Sequence, residues 1–318
     1  MALERQNIIE PSKSPWLNPV VLTRNKSGDL RLRVDFRKLN DLVQLEEFKI
    51  PKIAELFGFL RNKKYFTSID LKDGFFQVPI KHADKEKTAF HTGSRLMQFT
   101  KMPQGFKNSS AIFQRMMNII FAEIIGSKCL VYIDDILVFG ETIYEHDQNL
   151  QIVLNILDKY GLVENENKRI ECKEKIDFLG YRIEYNKLKP NLVRAQGIID
   201  YPAPKSKKSL QRFLGMINYD RMFIEGITKI LRPLYKLLTR GRKYEWMKEQ
   251  NDSFERVKVK LKNKLELAIP NFEKTFCLET DASDVGIVAA IGQEEGPIAY
   301  ASRSLNKSEQ QYGVSEEV

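Results

Sequence analysis

The chain has 318 residues, 42% hydrophobic and 29% charged, which excludes a disordered chain and allows about two domains. Its net charge is +9 and its pI is near 9.2, a balance that fits a polyanionic partner. No apolar run approaches the ~20 residues that span a bilayer, and Cys129, Cys172 and Cys277 are scattered without a Cys-x-x-Cys pair. That spacing argues against a zinc site or a disulfide framework and fits a reducing compartment, the cytoplasm.

In chain order, residues 8–19 carry Pro11, Pro15 and Pro19 and read as extended. Val20 to Thr23 reads as a strand, and residues 24–29 as a turn carrying Arg24 and Lys26. Leu30 to Phe36 alternates arginine with apolar residues, which predicts the returning strand of a basic hairpin. As chemistry this is an ordinary solvated edge, where cations discourage strand pairing. Ile53, Leu56, Phe57 and Leu60 fall on one face of a predicted helix. Phe66 to Ile69 reads as a strand with Asp70 at its end. Pro103-Gln104-Gly105 reads as a loop. Ser109 or Ser110 is then expected to cap a helix that turns Ile112, Met116, Ile119, Ile120 and Ile124 to the core.

Val131 to Phe139 is two short apolar runs around Asp134-Asp135. Runs too short for helices read as buried strands, so the carboxylates fall at a hairpin tip. Aspartates are common in turns for purely structural reasons. Two adjacent anions beside a buried hairpin nevertheless repel, and this turn has no glycine to ease it. Divalent cations offset that repulsion; two metals about 3.5–4 Å apart on carboxylates serve in-line displacement at phosphorus. A third carboxylate is then required, and Asp70 is the best candidate.

Further on, Leu150, Val153, Leu154 and Leu157 form a core stripe that ends at Gly161, a predicted C-cap. Phe178-Leu179-Gly180-Tyr181 follows. Residues 186–204 hold Pro190, Pro202 and Pro204 and read as a linker or turn region. Lys205, Lys207, Lys208 and Arg212 then open a helix whose other face carries Leu210, Phe213, Leu214 and Ile217. Cations on such a face are usually solvated. A new pattern starts at Phe276 with Cys277-Leu278-Glu279-Thr280-Asp281, followed by Ile298 to Leu305.

The Tyr132-x-Asp134-Asp135 hairpin, with an upstream strand ending in Asp70-Leu71-Lys72-x-Gly74, resembles the palm of a reverse transcriptase. The chain is most similar to the pol-encoded enzyme of gypsy-type LTR retrotransposons. That resemblance implies an α+β right-hand polymerase fold with fingers and palm at 1–185 and thumb and connection at 186–266. An incomplete ribonuclease H-like α/β domain at 267–318 follows. It implies RNA-directed DNA polymerase activity, with Asp70, Asp134 and Asp135 holding two Mg²⁺ ions. Arg31, with Arg24 or Lys26 as a second flap cation, would hold the incoming nucleotide's phosphates. Asp73, Gly74, Phe75 and Gln104 would complete the nucleotide site. Phe75 would exclude a 2′-hydroxyl, although most phenylalanines are simply core. Leu179, Gly180 and Tyr181 match the primer grip, and Lys207, Lys208 and Arg212 would track phosphates.

The implied partners are an RNA or DNA template with primer, dNTPs and the rest of a Pol polyprotein: protease, remaining ribonuclease H and integrase. A viral RNA replicase fits less well, because of Phe75 and the ribonuclease H strands. A degenerate copy that binds nucleic acid without polymerising is the alternative of a different class. Asp281 matches the first metal carboxylate of a ribonuclease H. The second is expected six residues after a tyrosine, where Tyr312 leads to Val318, with Glu317 one position early. Val288 also stands at a usual glycine. The expectation is therefore a vestigial site without ribonuclease H activity.

Overall fold

The computed structural model describes residues 2–24, 30–263, 265–283, 286–306, 308 and 309. Two compact units divide the chain. One comprises Met1–Leu56 with Tyr65–Lys173, and the other Phe57–Lys64 with Glu174–Val318.

In the first unit, β1 (Ile9–Pro11), β2 (Val20–Arg24) and β3 (Leu30–Val34) precede β4 (Tyr65–Asp70), β5 (Phe90–His91) and β6 (Leu96–Phe99). The predicted basic hairpin forms, with Val20 opposite Val34 and Arg24 opposite Leu30. Its tip, including Lys26, lies outside the described residues. Helix α1 (Ser109–Ile120), β7 (Cys129–Tyr132), β8 (Asp135–Gly140), α2 (Ile143–Lys159) and β9 (Ile170–Lys173) complete the unit. The central antiparallel sheet runs β7-β8-β4-β9, and a second sheet runs β1-β6-β5. Every residue from Ile136 to Phe139 is fully buried, as a central strand covered on both faces demands. Ile69, Ile136 and Val138 from the sheet pack with Phe113 and Met117 of α1 and with Val153 and Leu157 of α2.

Two details of α1 differ from expectation. Its core face is Phe113, Gln114 and Met117; Ile112, Met116 and Ile120 flank it, and Ile119 is 71% exposed. The apolar residues cover a broad arc, and the buried face is turned from its middle toward Gln114, with Phe113 and Met117 at its centre. Neither serine caps it: Asn108 stands at the cap position, and Ser109 Oγ donates to the Pro103 carbonyl at 3.0 Å. The close of α2 is as read. Gly161 adopts φ +65°, its N–H donating to the Asp158 carbonyl and that of Leu162 to the Leu157 carbonyl.

The second unit starts its sheet with β10 (Ile176–Phe178), β11 (Tyr181–Glu184) and β12 (Lys187–Pro190), continues through α3 (Leu192–Ile199), α4 (Lys207–Tyr219), α5 (Ile227–Lys236) and α6 (Lys248–Lys262), and closes the sheet with β13 (Leu267–Ala268). Residues 186–199 are thus not a linker. Lys187 and Leu188 pair with both β11 and β13. Pro190 ends the strand, where a missing donor is tolerated, and the Asn191 side chain caps α3 by accepting from the Arg194 N–H. Helix α4 buries Leu210, Phe213, Leu214 and Ile217 as predicted. An antiparallel sheet of β14 (Cys277–Ser283), β15 (Gly286–Gln293) and β16 (Gly296–Ser304) follows. It docks on the helices through the Ser302 carbonyl, which accepts from Arg221 Nη2 at 2.6 Å and Thr228 Oγ1 at 3.0 Å.

One glycine governs how α2 meets the palm sheet. A Cβ on Gly140 would lie 2.5 Å from the His146 backbone nitrogen and 2.7 Å from its Cα. Backbone cannot swing away as a side chain can. Gly140→Ala is therefore expected to destabilise the chain by about 1–3 kcal/mol, seen as a lower urea midpoint. An unchanged midpoint would mean that the first turn of α2 yields freely.

Candidate active site

Strand pairing assembles the three carboxylates. Asp70 is the last residue of β4 and faces Asp135, the first of β8; Asp135 also faces Tyr132 of β7. Ile133 and Asp134 are the two residues of the reversal, and the Asp134 carbonyl accepts from the Leu71 N–H at 3.0 Å. Ile133 takes φ +55°. Two-residue hairpins want positive φ there, but a β-branched residue in that region costs about 1–3 kcal/mol.

Gln114 holds the strained turn. Its side chain is fully buried. Its Oε1 accepts from the Ile133 N–H at 2.6 Å, while Nε2 donates to the Val131 carbonyl at 3.1 Å and to Asn118 Oδ1 at 2.9 Å. The amide therefore grips the hairpin on both sides of Tyr132. Gly74 backs the turn from the other direction: a Cβ there would lie 3.0 Å from that of Asp134 and 3.3 Å from the Phe113 ring. Asp73, just before it, has φ +50°. Phe75 is half-buried and meets Phe113 edge-on, centroids 5.5 Å apart. Its packing on the core is visible, and a role as a sugar gate is an additional claim.

The electrostatics follow from crowding anions out of water. Burial pushes the Asp134 carboxyl up, with the Asp70 charge adding to it. Burial first, then the Asp134 and Asp70 charges, push Asp135 up to about 6. Lys168 Nζ donates to Asp70 Oδ1 at 2.9 Å, and that bond raises the lysine's own pKa. One exposed ammonium thus answers three carboxylates. The trio offers only hard oxygen donors, the set Mg²⁺ prefers, and Mg²⁺ commonly binds a few carboxylates and leaves the rest of its shell to water and substrate phosphates.

The other predicted residues fall as follows. Gln104 is exposed on the loop before α1, where Asn40 braces the neighbouring Gly105 carbonyl at 2.9 Å. Arg31 lies on β3 opposite Thr23; its side chain, like that of Arg24, is outside the described residues. In the second unit, Leu179 (φ +46°) and Gly180 (φ +75°) make the turn between β10 and β11. Tyr219 Oη donates to the Leu179 carbonyl at 2.6 Å, and Tyr181 Oη to the Tyr219 carbonyl at 3.2 Å. The Arg194 guanidinium lies 4.1 Å from the Tyr219 ring centroid and pairs with the buried Asp220. A Cβ on Gly180 would meet Arg194 Nη1 at 2.5 Å. Lys208 and Arg212 are exposed on α4, and Lys207 Nζ donates to the Thr239 carbonyl at 3.3 Å. Asp281 is exposed on β14 opposite Val288; Tyr312, Glu317 and Val318 lie outside the described residues. Sequence reasoning missed Gln114, Lys168 and Arg194. For Gln114 the available signal was an amide placed directly after Phe113, one turn before a second amide, Asn118, in α1.

A carboxylate hairpin beside a carboxylate-ended strand, within this sheet, defines the palm class of nucleotidyl-transferring proteins. Residues 23–183 match the family described as reverse transcriptase (RNA-dependent DNA polymerase), half the chain, and the chain belongs to that family. Residues 246–318 match the RNase H-like domain found in reverse transcriptase. Its relatives are retrotransposon polyproteins. The Retrovirus-related Pol polyprotein from transposon opus of Drosophila melanogaster is 39% identical over 99% of this chain and 33% of its own length. That from transposon gypsy is 32% identical over 99% and 32%, and the Tf2-3 polyprotein of Schizosaccharomyces pombe 30% over 98% and 24%. The chain thus spans a third or less of these relatives. Among solved structures, the foamy viral protease-reverse transcriptase in complex with RNA/DNA hybrid matches with a TM-score of 0.90 at 27% identity, over 99% of this chain and 43% of that one. A form of it in complex with double-stranded DNA gives 0.91 at 27%, over 99% and 56%. The fold is the right-hand polymerase fold with an RNase H-like segment, as the motifs imply.

The raised Asp135 carboxyl has a measurable consequence. A carboxyl whose folded pKa lies above its unfolded value binds its proton more tightly in the folded state, so its contribution falls as pH rises between the two values. In Mg²⁺-free buffer, the stability of the wild type relative to Asp135→Asn should therefore fall as pH rises from about 4 to about 6. Parallel stability–pH curves for the two proteins would refute the crowding of the carboxylates.

Proposed function

We propose that this chain is the polymerase part of a retrotransposon Pol polyprotein, adding deoxynucleotides to a primer 3′-hydroxyl on an RNA or DNA template. The observation that carries this is the convergence of Asp70, Asp134 and Asp135 at one end of the β4–β8 pair, two of them with carboxyls raised by burial and mutual charge. Two Mg²⁺ ions bound there would make the 3′-hydroxyl a better nucleophile and stabilise the leaving pyrophosphate. The residues' share is positional. Asp135 is set by strand register, Asp134 by the turn that Gln114 and Gly74 confine, and Asp70 by β4. Fixed ligands cost no reorganisation when the reaction begins. The related foamy viral enzyme, solved with RNA/DNA hybrid and with double-stranded DNA, and the net positive charge support a primed template as partner. Arg31 and Gln104 would contact the dNTP, the Leu179-Gly180 turn would position the primer end, and Lys207, Lys208 and Arg212 would follow phosphates.

Asp134→Asn is expected to abolish primer extension with Mg²⁺ and dNTPs while binding of the primed template stays within about twofold. A lost metal ligand acts on the transition state, whereas phosphate contacts are spread over other surfaces. Full extension by this variant would remove the two-metal reading. Retained binding by a wild type that never extends would favour a protein that binds nucleic acid without copying it.

The gate role of Phe75 has its own test. Phe75→Ala should raise ribonucleotide use relative to deoxynucleotide, read as the ratio of the two kcat/KM values. If overall activity falls and that ratio stays fixed, the ring serves only its packing on Phe113.

A further inference from the structure

A second cluster of donors lies in the first unit, away from the carboxylate trio in chemistry. His146 and Asp147 stand in the first turn of α2, and Cys172 in β9. A ring nitrogen of His146, a carboxylate oxygen of Asp147 and Cys172 Sγ all lie within 4.8 Å of one another, the only such group among the described residues. Polymerisation as derived above makes no use of them. The scattered cysteines argue against a zinc site built from local Cys-x-x-Cys pairs, but the fold brings these donors together from two separate elements.

A single buried hydroxyl arranges the group. Thr67 of β4 and His146 are both fully buried. Thr67 Oγ1 lies 2.8 Å from His146 Nε2 and accepts the Cys172 N–H at 3.0 Å. It therefore fixes both the imidazole and the chain that carries the thiol. That chain is distorted: Cys172 has φ +46°, and the β4–β9 register shifts between Phe66 and Ser68. Such bulges re-aim a side chain. On the other side of the ring, Nδ1 lies 2.9 Å from Asp147 Oδ1. The Asp147 charge also helps to raise the Cys172 thiol, after burial, so the two groups feel each other. A proton on Nδ1 would bridge imidazole and carboxylate, with Nε2 accepting from Thr67. When Nε2–H donates to Thr67 instead, Nδ1 presents its lone pair beside the carboxylate. Metal-bound histidines are held in this way by an acceptor on the second nitrogen.

We propose that His146 Nδ1, the Asp147 carboxylate and Cys172 Sγ form a three-ligand site for Zn²⁺, with water as the fourth ligand. One imidazole, one carboxylate and one thiolate suit a borderline-soft ion and not Mg²⁺. Coordination requires the thiolate, so the Cys172 proton leaves to solvent. Asp147 and Cys172 are exposed and give the ion its entry path. Once bound, the ion would tie the first turn of α2 to β9 across β4, the strand that ends in Asp70.

Cobalt titration of the full chain tests the site, with excess Mg²⁺ present to occupy the palm carboxylates. One Co²⁺ should bind with a thiolate-to-cobalt charge-transfer band, and Zn²⁺ should displace it. Cys172→Ser should abolish the band, Cys277→Ser should leave it, and Asp147→Asn should weaken cobalt binding by about tenfold or more. Zn²⁺ should raise the Tm of the wild type and not that of Cys172→Ser. A wild type without the band, a band that survives Cys172→Ser, or unchanged affinity in Asp147→Asn would each overturn the proposal. His146 would then be a core histidine satisfied by Thr67 and Asp147 alone.

Discussion

Repulsion among three carboxylates is the constraint on which the first unit depends. Asp134 and Asp135 adjoin in sequence, and antiparallel register sets Asp70 opposite Asp135. Burial first, then neighbouring charge, disfavours ionisation of Asp134 and Asp135. The protein meets that cost with apolar burial next door. Ile136, Leu137, Val138 and Phe139 are fully buried, and each contributes about 1.5–3 kcal/mol relative to exposure. The strand that anchors the site is therefore also what makes the site tolerable.

Strain alone would not fix the turn, because a relaxed turn would move Asp134. Gln114 supplies the missing restraint with hydrogen bonds to residues on both sides of Tyr132. The second unit repeats the device. Leu179, another non-glycine residue with positive φ, is held by Tyr219 Oη on its carbonyl, and Arg194 stacks on that tyrosine while pairing with Asp220. In both turns a helix side chain reaches into a strand reversal and saturates its backbone. A buried polar group must be satisfied or it costs stability, so each clamp also gives its helix a fixed seat.

What was legible in the sequence follows from the range of the interactions. The palm hairpin, β4 and the carboxylate trio could be read because β-branched runs bounded by aspartates are local patterns. The buried stripe of α4 was equally plain. The face of α1 was not, since the needs of the Ile133 turn pull the polar Gln114 into the buried face and leave Ile119 exposed, against the apolar pattern. Residues 186–204 looked like a linker because of Pro190, Pro202 and Pro204; pairing with β11 and β13 makes the strand, and β13 lies far away in sequence. Lys168 reaches Asp70 from the turn before β9, and Cys172 of β9 meets His146 of α2, contacts between elements that no local spacing announces. Val288 opposite Asp281 was visible as a departure from pattern, and its register with Asp281 explains why that position matters to the strand pair.

The two donor sets of the first unit differ in the ions they would select. Asp70, Asp134 and Asp135 present oxygen alone, with Asp134 and Asp135 partly desolvated. His146, Asp147 and Cys172 present nitrogen, oxygen and sulfur within 4.8 Å of one another. Raw affinity for divalent metals favours zinc over magnesium at nearly any site, so selection rests on donor type, spacing and supply. An open oxygen cradle that leaves coordination positions to phosphate oxygens suits the abundant hard ion. A compact mixed set with a thiolate would draw the scarce softer ion away from that cradle. Both sets hang on β4, through Thr67 and Asp70, so the strand whose burial stabilises the fold also keeps the two chemistries at a fixed separation.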